Sequence, residues 1–309
     1  MTLLAGGGGG AKLAHGFAQV TDSLTVVVNT ADDAELHGLH VSPDVDTVLY
    51  TLAGRIDPAQ GWGLAGDTDV VLRAMAELGE DTWFHLGDRD LATHILRTAR
   101  LRAGATLTEV TAQLAAALGV ASRVLPMSDD RVATTLRTAD GTLGFQEYFV
   151  GRRHRDEVLA VAFDGIDAAR PAPGVIDALT SVDVVVLGPS NPFVSIGPIL
   201  ALPGVREALA SSRARRVAVS PVIGGQALKG PAAQMLATLG HDVSALGVAR
   251  LYTGLVDVFV VDEQDAHLAP AIRDLGLDVA ATRSVMGPDA ADRARLAREL
   301  LDAVTPPAP

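Results

Sequence analysis

The chain contains no cysteine. A disulfide, a thiolate nucleophile and a cysteine-ligated metal are therefore excluded. Aromatic residues make up only 4% of it. Basic residues are also scarce: Lys and Arg total 25 against 37 Asp and Glu, a net charge of −12. The lysines are Lys12 and Lys229 alone, so positive charge is almost entirely arginine. A general nucleic-acid binder would show the opposite balance, and no nucleic-acid partner is expected. An acidic protein that handles phosphates must do so locally, through backbone amides, a metal or a few arginines. No apolar run approaches the roughly 20 residues that span a bilayer. The apolar start breaks into Gly6–Gly10 without the basic segment of a signal peptide. A cytoplasmic protein without a membrane partner is expected. There is no G-x-S-x-G nucleophile elbow, no H-E-x-x-H zinc helix and no P-loop Gly-Lys-Ser/Thr, and the eight histidines show no metal-ligand spacing.

The chain does hold 309 residues, 48% of them hydrophobic, enough for one large α/β domain or two modest ones. Strand and helix signals alternate at both ends. Met1–Ala5 and Leu24–Asn29 read as buried strands around a Gly6–Gly10 loop and a helix over Ala11–Gln19, and Asp46–Leu52 reads as helical. From about Gly54 to Ala121 strand signals vanish. Helical spacing predicts helices over Asp67–Leu78, Asp90–Leu101 and Thr106–Leu118, the last with a capping-box start at Thr106 and Glu109. Val132–Arg137 and Leu143–Val150 flank the hairpin signal Asp140-Gly141. Alternation resumes with strands at Val158–Phe163, Val184–Leu187, Arg216–Ser220 and Val258–Val261. Helices at Gly174–Thr180, Val205–Ser211, Ala232–Leu239 and Ala290–Val304 accompany them. Pro306-Pro307-Ala308-Pro309 reads as a frayed end. The pattern predicts a single α/β domain. Its Rossmann-like, doubly wound and mostly parallel sheet is built from about 1–55 and 156–309, with a helical and hairpin insertion at about 56–155.

The densest chemistry lies between Leu24 and Tyr50. An apolar strand ends in Asn29-Thr30-Ala31-Asp32-Asp33, and Ser42-Pro43-Asp44-Val45-Asp46-Thr47 follows. Four carboxylates at the carboxyl end of a parallel strand stand where open α/β sheets bind ligands. Such oxygens suit a hard cation such as Mg²⁺, which commonly accompanies phosphates. Each Asp taken alone also fits a turn or a helix cap. Gly6–Gly10 with Lys12 allows close approach of an anionic ligand to a helix start, or simply a tight strand–helix turn. Gly188-Pro189-Ser190-Asn191-Pro192-Phe193-Val194-Ser195 follows an apolar strand and offers hydroxyls and amides to a nucleotide, or ordinary caps. Asp88-Arg89-Asp90 is a solvated ion pair or a ligand clamp. Trp62, in Gly61-Trp62-Gly63, can stack on a planar ligand or pack as a lid.

In order and spacing, these segments resemble the 2-phospho-L-lactate transferase family (CofD, called FbiA in actinobacteria). The likeness is carried by Gly6–Leu13, Val28–Asp33, Ser42–Thr47, Gly61–Gly63, Leu86–His94, Leu125–Asp130, Phe145–Glu147, Gly188–Pro198 and Ser220–Gly224. It implies a step of coenzyme F420 biosynthesis. The ribityl hydroxyl of the deazaflavin Fo would attack a guanosine diphosphate ester of lactate or enolpyruvate. The products would be GMP and F420-0 or its dehydro form. It also implies Mg²⁺ and a homodimer. On this resemblance Asp32 and Asp44 would hold Mg²⁺, and Asp33 or Asp46 would orient the hydroxyl or take its proton. Asp46, Thr47, Trp62, Asp88 and Arg89 would contact Fo. Gly7, Gly8, Gly9, Gly10, Lys12, Gly188, Ser190, Asn191 and Ser195 would hold the nucleotide and its phosphates. The choice of phospholactyl or phosphoenolpyruvyl donor stays open. Two rivals are a nucleotide-sugar-binding regulator of the same superfamily and an NAD-dependent oxidoreductase. The first should lack Pro-Asp-x-Asp-Thr. The second should show one ribose-gripping acid after its second strand rather than four carboxylates.

Overall fold

The computed structural model describes residues 1–227 and 230–304; Lys229 and the expected frayed Pro306–Pro309 lie outside them. Seven strands form the main sheet: β1 (Thr2–Ala5), β2 (Thr25–Val28), β3 (Arg123–Pro126), β4 (Val184–Leu187), β5 (Arg215–Val219), β6 (Val258–Asp262) and β7 (Asp278–Thr282). Their order is β3-β2-β1-β4-β5-β6-β7, and every pairing is parallel. This is the doubly wound arrangement, with its winding reversed between β1 and β4, where a ligand crevice opens beyond the carboxyl ends.

Period-two alternation assigns the strand residues to two cores. Leu3, Ala5, Val26, Val28, Val186, Val217 and Val219 face one side. There they meet α1 (Gly7–Ala18), α2 (Pro43–Leu52), a helix at Leu107–Ala117 and one at Ala290–Val304. Leu4, Val27, Val185, Leu187 and Ala218 face the other, against the short helices Val175–Thr180, Ile196–Ala201, Val205–Ser211 and Ala245–Leu251. Burial on both faces explains the unbroken apolar strands. α1 crosses the Ala290–Val304 helix so closely that a Cβ on Gly16 would collide with the Arg293 carbonyl oxygen.

Between β2 and β3 lie a hairpin (Ala34–Leu36 with Leu39–Val41), α2, α3 (Val70–Glu77), α4 (Asp88–Arg102) and α5 (Leu107–Ala117). Between β3 and β4, Ala133–Thr138, Gly141–Gly144 and Ala160–Asp164 form a small antiparallel sheet. Among the described residues, no helix is long and apolar enough to cross a membrane.

Five sequence expectations are corrected. Gly7–Gly10 is the first turn of α1, not a loop: tight packing, described below, overrides the poor helix propensity of glycine. Arg123–Pro126, inside the expected 56–155 insertion, is a strand of the main sheet. Three apolar residues are too few for periodicity to separate strand from helix. The strand expected at Val158–Phe163 runs over Ala160–Asp164 and belongs to the antiparallel sheet. Leu143–Val150 is a strand only to Gly144 and then turns into a π-helical segment, Glu147–Gly151. The seventh strand, Asp278–Thr282, was absent from the expected set, because two alanines blunt its strand signal. The α5 start is as expected: Glu109 N–H donates to the Thr106 hydroxyl at 3.2 Å, and Thr106 N–H donates to the Glu109 carboxylate at 2.9 Å. Thr106→Ala should cost about 1 kcal/mol, read as a lower urea midpoint with an unchanged m-value.

Candidate active site

β2 delivers Asn29 to the crevice with its side chain wholly buried. Its amide nitrogen donates to Asp32 Oδ2 and Asp44 Oδ2, 3.0 Å each, and to the Val194 carbonyl at 3.2 Å. Its carbonyl oxygen accepts from Ala31 N–H at 3.0 Å. One side chain thus ties the Asp-Asp turn, α2 and the loop after β4 together. Pro43 at the start of α2 presets the helical backbone and places Asp44 in the first turn. Asp44 Oδ1 accepts from Gly7 N–H at 2.7 Å, where α1 begins. The Ser190 hydroxyl closes the circle, donating to the Gly6 carbonyl at 2.8 Å and accepting from Gly6 N–H at 3.3 Å. Gln146, at the start of the Glu147–Gly151 turn, donates to the Asp32 carbonyl at 2.7 Å.

The glycines permit this approach. A Cβ on Gly9 would lie 2.5 Å from the Pro189 carbonyl oxygen. One on Gly10 would meet Ala5 and Ser190, and one on Gly6 would meet Ser195 and Asp44, all under 3.0 Å. Gly7 has φ +64°, a left-handed backbone that suits glycine. At Gly8 the nearest contact would be an ordinary 3.6 Å. Gly188 stands 3.2 Å from the Leu4 carbonyl by the same measure. The Asn191 side chain accepts from Phe193 N–H (2.9 Å) and holds its loop in a turn, while Ser195 N–H donates to the Asn191 carbonyl (3.1 Å).

Burial raises the Asp32 carboxyl well above the usual carboxylate range, and nearby Asp44 raises it further. Burial pushes Asp44 up to about 6, although Asn29 and Gly7 N–H oppose the shift. Asp32 Oδ1 is buried without a well-formed hydrogen bond, and the neutral Thr134 hydroxyl nearby only partly offsets the rise. Two buried carboxylates share one neutral amide, and one oxygen lacks a well-formed bond. That is a deficit of positive charge, and this all-oxygen donor set fits a hard divalent cation.

The other two carboxylates are held differently. Asp33 accepts from the Ser42 hydroxyl at 2.8 Å and lies 2.9 Å from His40 Nε2. Asp46 is gripped through both oxygens by Arg97, with Thr47 buried next in α2. Trp62 is half-exposed and stands edge-on to His85, ring centres 5.6 Å apart. Both line a cavity of about 300 Å³ with Asp67, Thr68, Gly87 and Asp90. Asp88 spends its carboxylate on the free amides of Val70 (3.0 Å) and Val71 (2.9 Å) at the start of α3. Arg89 donates to the Ala65 carbonyl at 3.1 Å, and Lys12 to the Met286 carbonyl at 3.3 Å. The structure thus joins Asp32, Asp44, Gly7 and Ser190 in one crevice with Asp33 beside it, whereas Asp46, expected there as base and acceptor contact, turns to the other side of α2 and is taken up by Arg97. It gathers Trp62 and the start of α4 around a separate cavity. Asn29, His40, Arg97 and Gln146 were not singled out from sequence. The only signal for Arg97 is its i, i+3 spacing from His94 on a helix face.

Two outcomes follow. Gly9→Ala should destabilise the fold by about 1–3 kcal/mol through overpacking, and Gly8→Ala should cost far less; denaturant midpoints of the pair decide this. The raised carboxyls give a pH signature. Folding raises the Asp44 value from 3.8 to about 6, so the folded state favours its protonated form. Metal-free protein therefore loses stability as pH rises from about 4 to 6. The loss is up to roughly 3 kcal/mol for this group at 1.36 kcal/mol per unit. Unfolding free energies of the wild type minus Asp44→Asn, measured in a chelator across this window, should trace that loss.

The chain matches the family model for "2-phospho-L-lactate transferase CofD" over residues 1–297. It is 44% identical to a 2-phospho-L-lactate transferase of Methanosarcina acetivorans, covering 89% of this chain and 90% of the relative. It is also 44% identical to a phosphoenolpyruvate transferase of Kitasatospora aureofaciens, covering 96% and 95%. A crystal structure of a UPF0052-family protein from Bacillus halodurans superposes with a TM-score of 0.62. That match has 18% identity and covers 97% of this chain and 98% of the other, a likeness of fold. Together, the model match and the two relatives establish that the chain belongs to the 2-phospho-L-lactate transferase CofD family.

Proposed function

We propose that the protein transfers a phospholactyl or phosphoenolpyruvyl group from a guanosine diphosphate ester to the ribityl hydroxyl of Fo, a step of coenzyme F420 biosynthesis. The observation that carries this reading is the Asp32–Asp44 pair held on Asn29 at the switch-point crevice, against the amino end of α1. Phosphoryl transfer needs positioning and charge neutralisation more than covalent chemistry. The absence of a cysteine or a serine elbow is then no obstacle.

The diphosphate lies along α1 and the 188–195 loop, where backbone amides meet negative charge. Asp32 and Asp44 would hold Mg²⁺, which when bound offsets negative charge on the diphosphate and on departing GMP. The Fo hydroxyl oxygen forms its bond to the distal phosphorus as the bond from that phosphorus to the GMP oxygen breaks. Asp33 orients the hydroxyl and receives its proton, because both oxygens of Asp46 are held by Arg97 on the far side of α2. Trp62, Thr47 and the Asp88–Arg89 turn contact the acceptor. The helices between β2 and β3 cover it and exclude water, which otherwise competes as nucleophile. We place the enzyme in the cytoplasm as a homodimer.

Relatives bearing either donor name match at 44% identity, so both donors belong in the test. Purified protein incubated with Fo, Mg²⁺ and each guanosine diphosphate ester should yield GMP and a phospho-acid adduct of Fo by mass spectrometry. Asp44→Asn should lower the rate by about 10²–10³-fold, the scale of losing an electrostatic stabiliser. A folded wild type that makes no adduct from either donor, yet binds a nucleotide sugar tightly, would overturn the reading.

A further inference from the structure

Behind the first turn of α2 lies a second knot of charge. Two helical residues span about 200°, so Asp44 and Asp46 point to opposite sides. Asp44 meets Gly7 and Asn29. Asp46 meets α4, where Arg97 is wholly buried. Arg97 donates to both Asp46 oxygens, reaches the His40 carbonyl at 3.4 Å and lies 3.3 Å from His94 Nδ1. Buried His94 places Nδ1 3.7 Å from Asp46 Oδ2 and Nε2 3.3 Å from Asp90 Oδ2. That Nε2 has no hydrogen-bond partner. One ligand atom from each of Asp46, Asp90 and His94 falls within 4.8 Å of the others.

Two carboxylates and an imidazole are a donor set that divalent transition metals accept. Here the guanidinium already stands against it, a cation that never deprotonates. We infer that Arg97 is a built-in cation: it takes the place of a second metal ion behind α2 and confines divalent-cation binding to the Asp32–Asp44 side. The inference deepens the proposed function and rests on it only in naming Asp32 and Asp44 as the resident pair. An ordinary structural ion pair differs in its consequence. Its loss would leave a defect that no metal repairs, whereas loss of a built-in cation leaves a vacant metal site.

The test is Co²⁺ titration of the full chain, followed by visible absorption and by metal content after dialysis. Arg97→Gln should bind one additional Co²⁺ per chain and gain thermal stability from it. Adding Asp90→Asn to that variant should abolish both gains. Arg97→Lys, which keeps the charge, and Asp90→Asn alone should retain the wild-type stoichiometry. A folded Arg97→Gln with unchanged stoichiometry would overturn the inference. So would loss of Co²⁺ from Asp90→Asn alone, which needs no variant at Arg97 and locates the resident metal behind α2. Unchanged Co²⁺ binding in Asp44→Asn would count against the proposed metal pair and leave the Arg97 comparison standing.

Discussion

The constraint on which this structure depends is the burial of like charges at one edge of a parallel sheet. Asp32, Asp44 and Asp46 are buried within 18 residues of the end of β2 at Val28, and Asp33 is nearly so. Unpaired, such groups are costly to remove from water. Their surroundings consist of partial compensations. Asn29 divides one amide between two carboxylates, Gly7 N–H faces Asp44, Ser42 and His40 attend Asp33, and Arg97 grips Asp46. Behind α2 a cation, Arg97, answers Asp46, whereas in front of it Asp32 and Asp44 share a neutral amide. There Asp32 Oδ1 lacks a well-formed hydrogen bond, and both carboxyls are raised by burial.

The glycine run shows how a local packing role and a ligand role coincide. Gly6, Gly9 and Gly10 leave room for the Ser190 loop, Asp44 and Ala5 rather than for a ligand. A tight strand–helix turn is therefore a correct description of them. The same closeness brings the first turn of α1 under the loop that follows β4. Free amides and a helix dipole then stand at the switch point. Of the five, Gly8 alone is open to a side chain in both space and backbone conformation, so packing does not require glycine there.

Much of the fold was legible in the sequence because both-face burial writes itself as unbroken apolar runs: Leu24–Asn29 and Val184–Leu187 read directly as strands. Capping chemistry fixed the α5 start at Thr106. What stayed hidden depended on partners distant in sequence. Arg123–Pro126 is too short to declare a period, and its pairing with β2 makes it a strand. The helical state of Gly7–Gly10 depends on Pro189 and Ser190, which are remote along the chain. The clustering of Asp32 with Asp44 was legible, since both follow one strand end. Arg97 was not, because a buried arginine in a helix reads as a solvated face until the fold supplies Asp46, 51 residues away.

α2 explains why Asp-x-Asp serves two purposes. Helical geometry sends the two carboxylates to opposite sides of one turn, so a single rigid element sets both. On the rear side a bidentate guanidinium satisfies Asp46, and Tyr50 of the same helix donates to Asp90 at 2.7 Å. That side carries its own cation. Arg97, clamped also to the His40 carbonyl, fixes the turn and hence the angle at which Asp44 enters the crevice. On the front side the donors are neutral: an amide, a backbone N–H and the Thr134 hydroxyl. An unbalanced front on a rigidly balanced rear is what a site needs if a cation and a diphosphate are to be held without moving the scaffold. The rear network supplies the rigidity, and the charge deficit in front supplies the affinity.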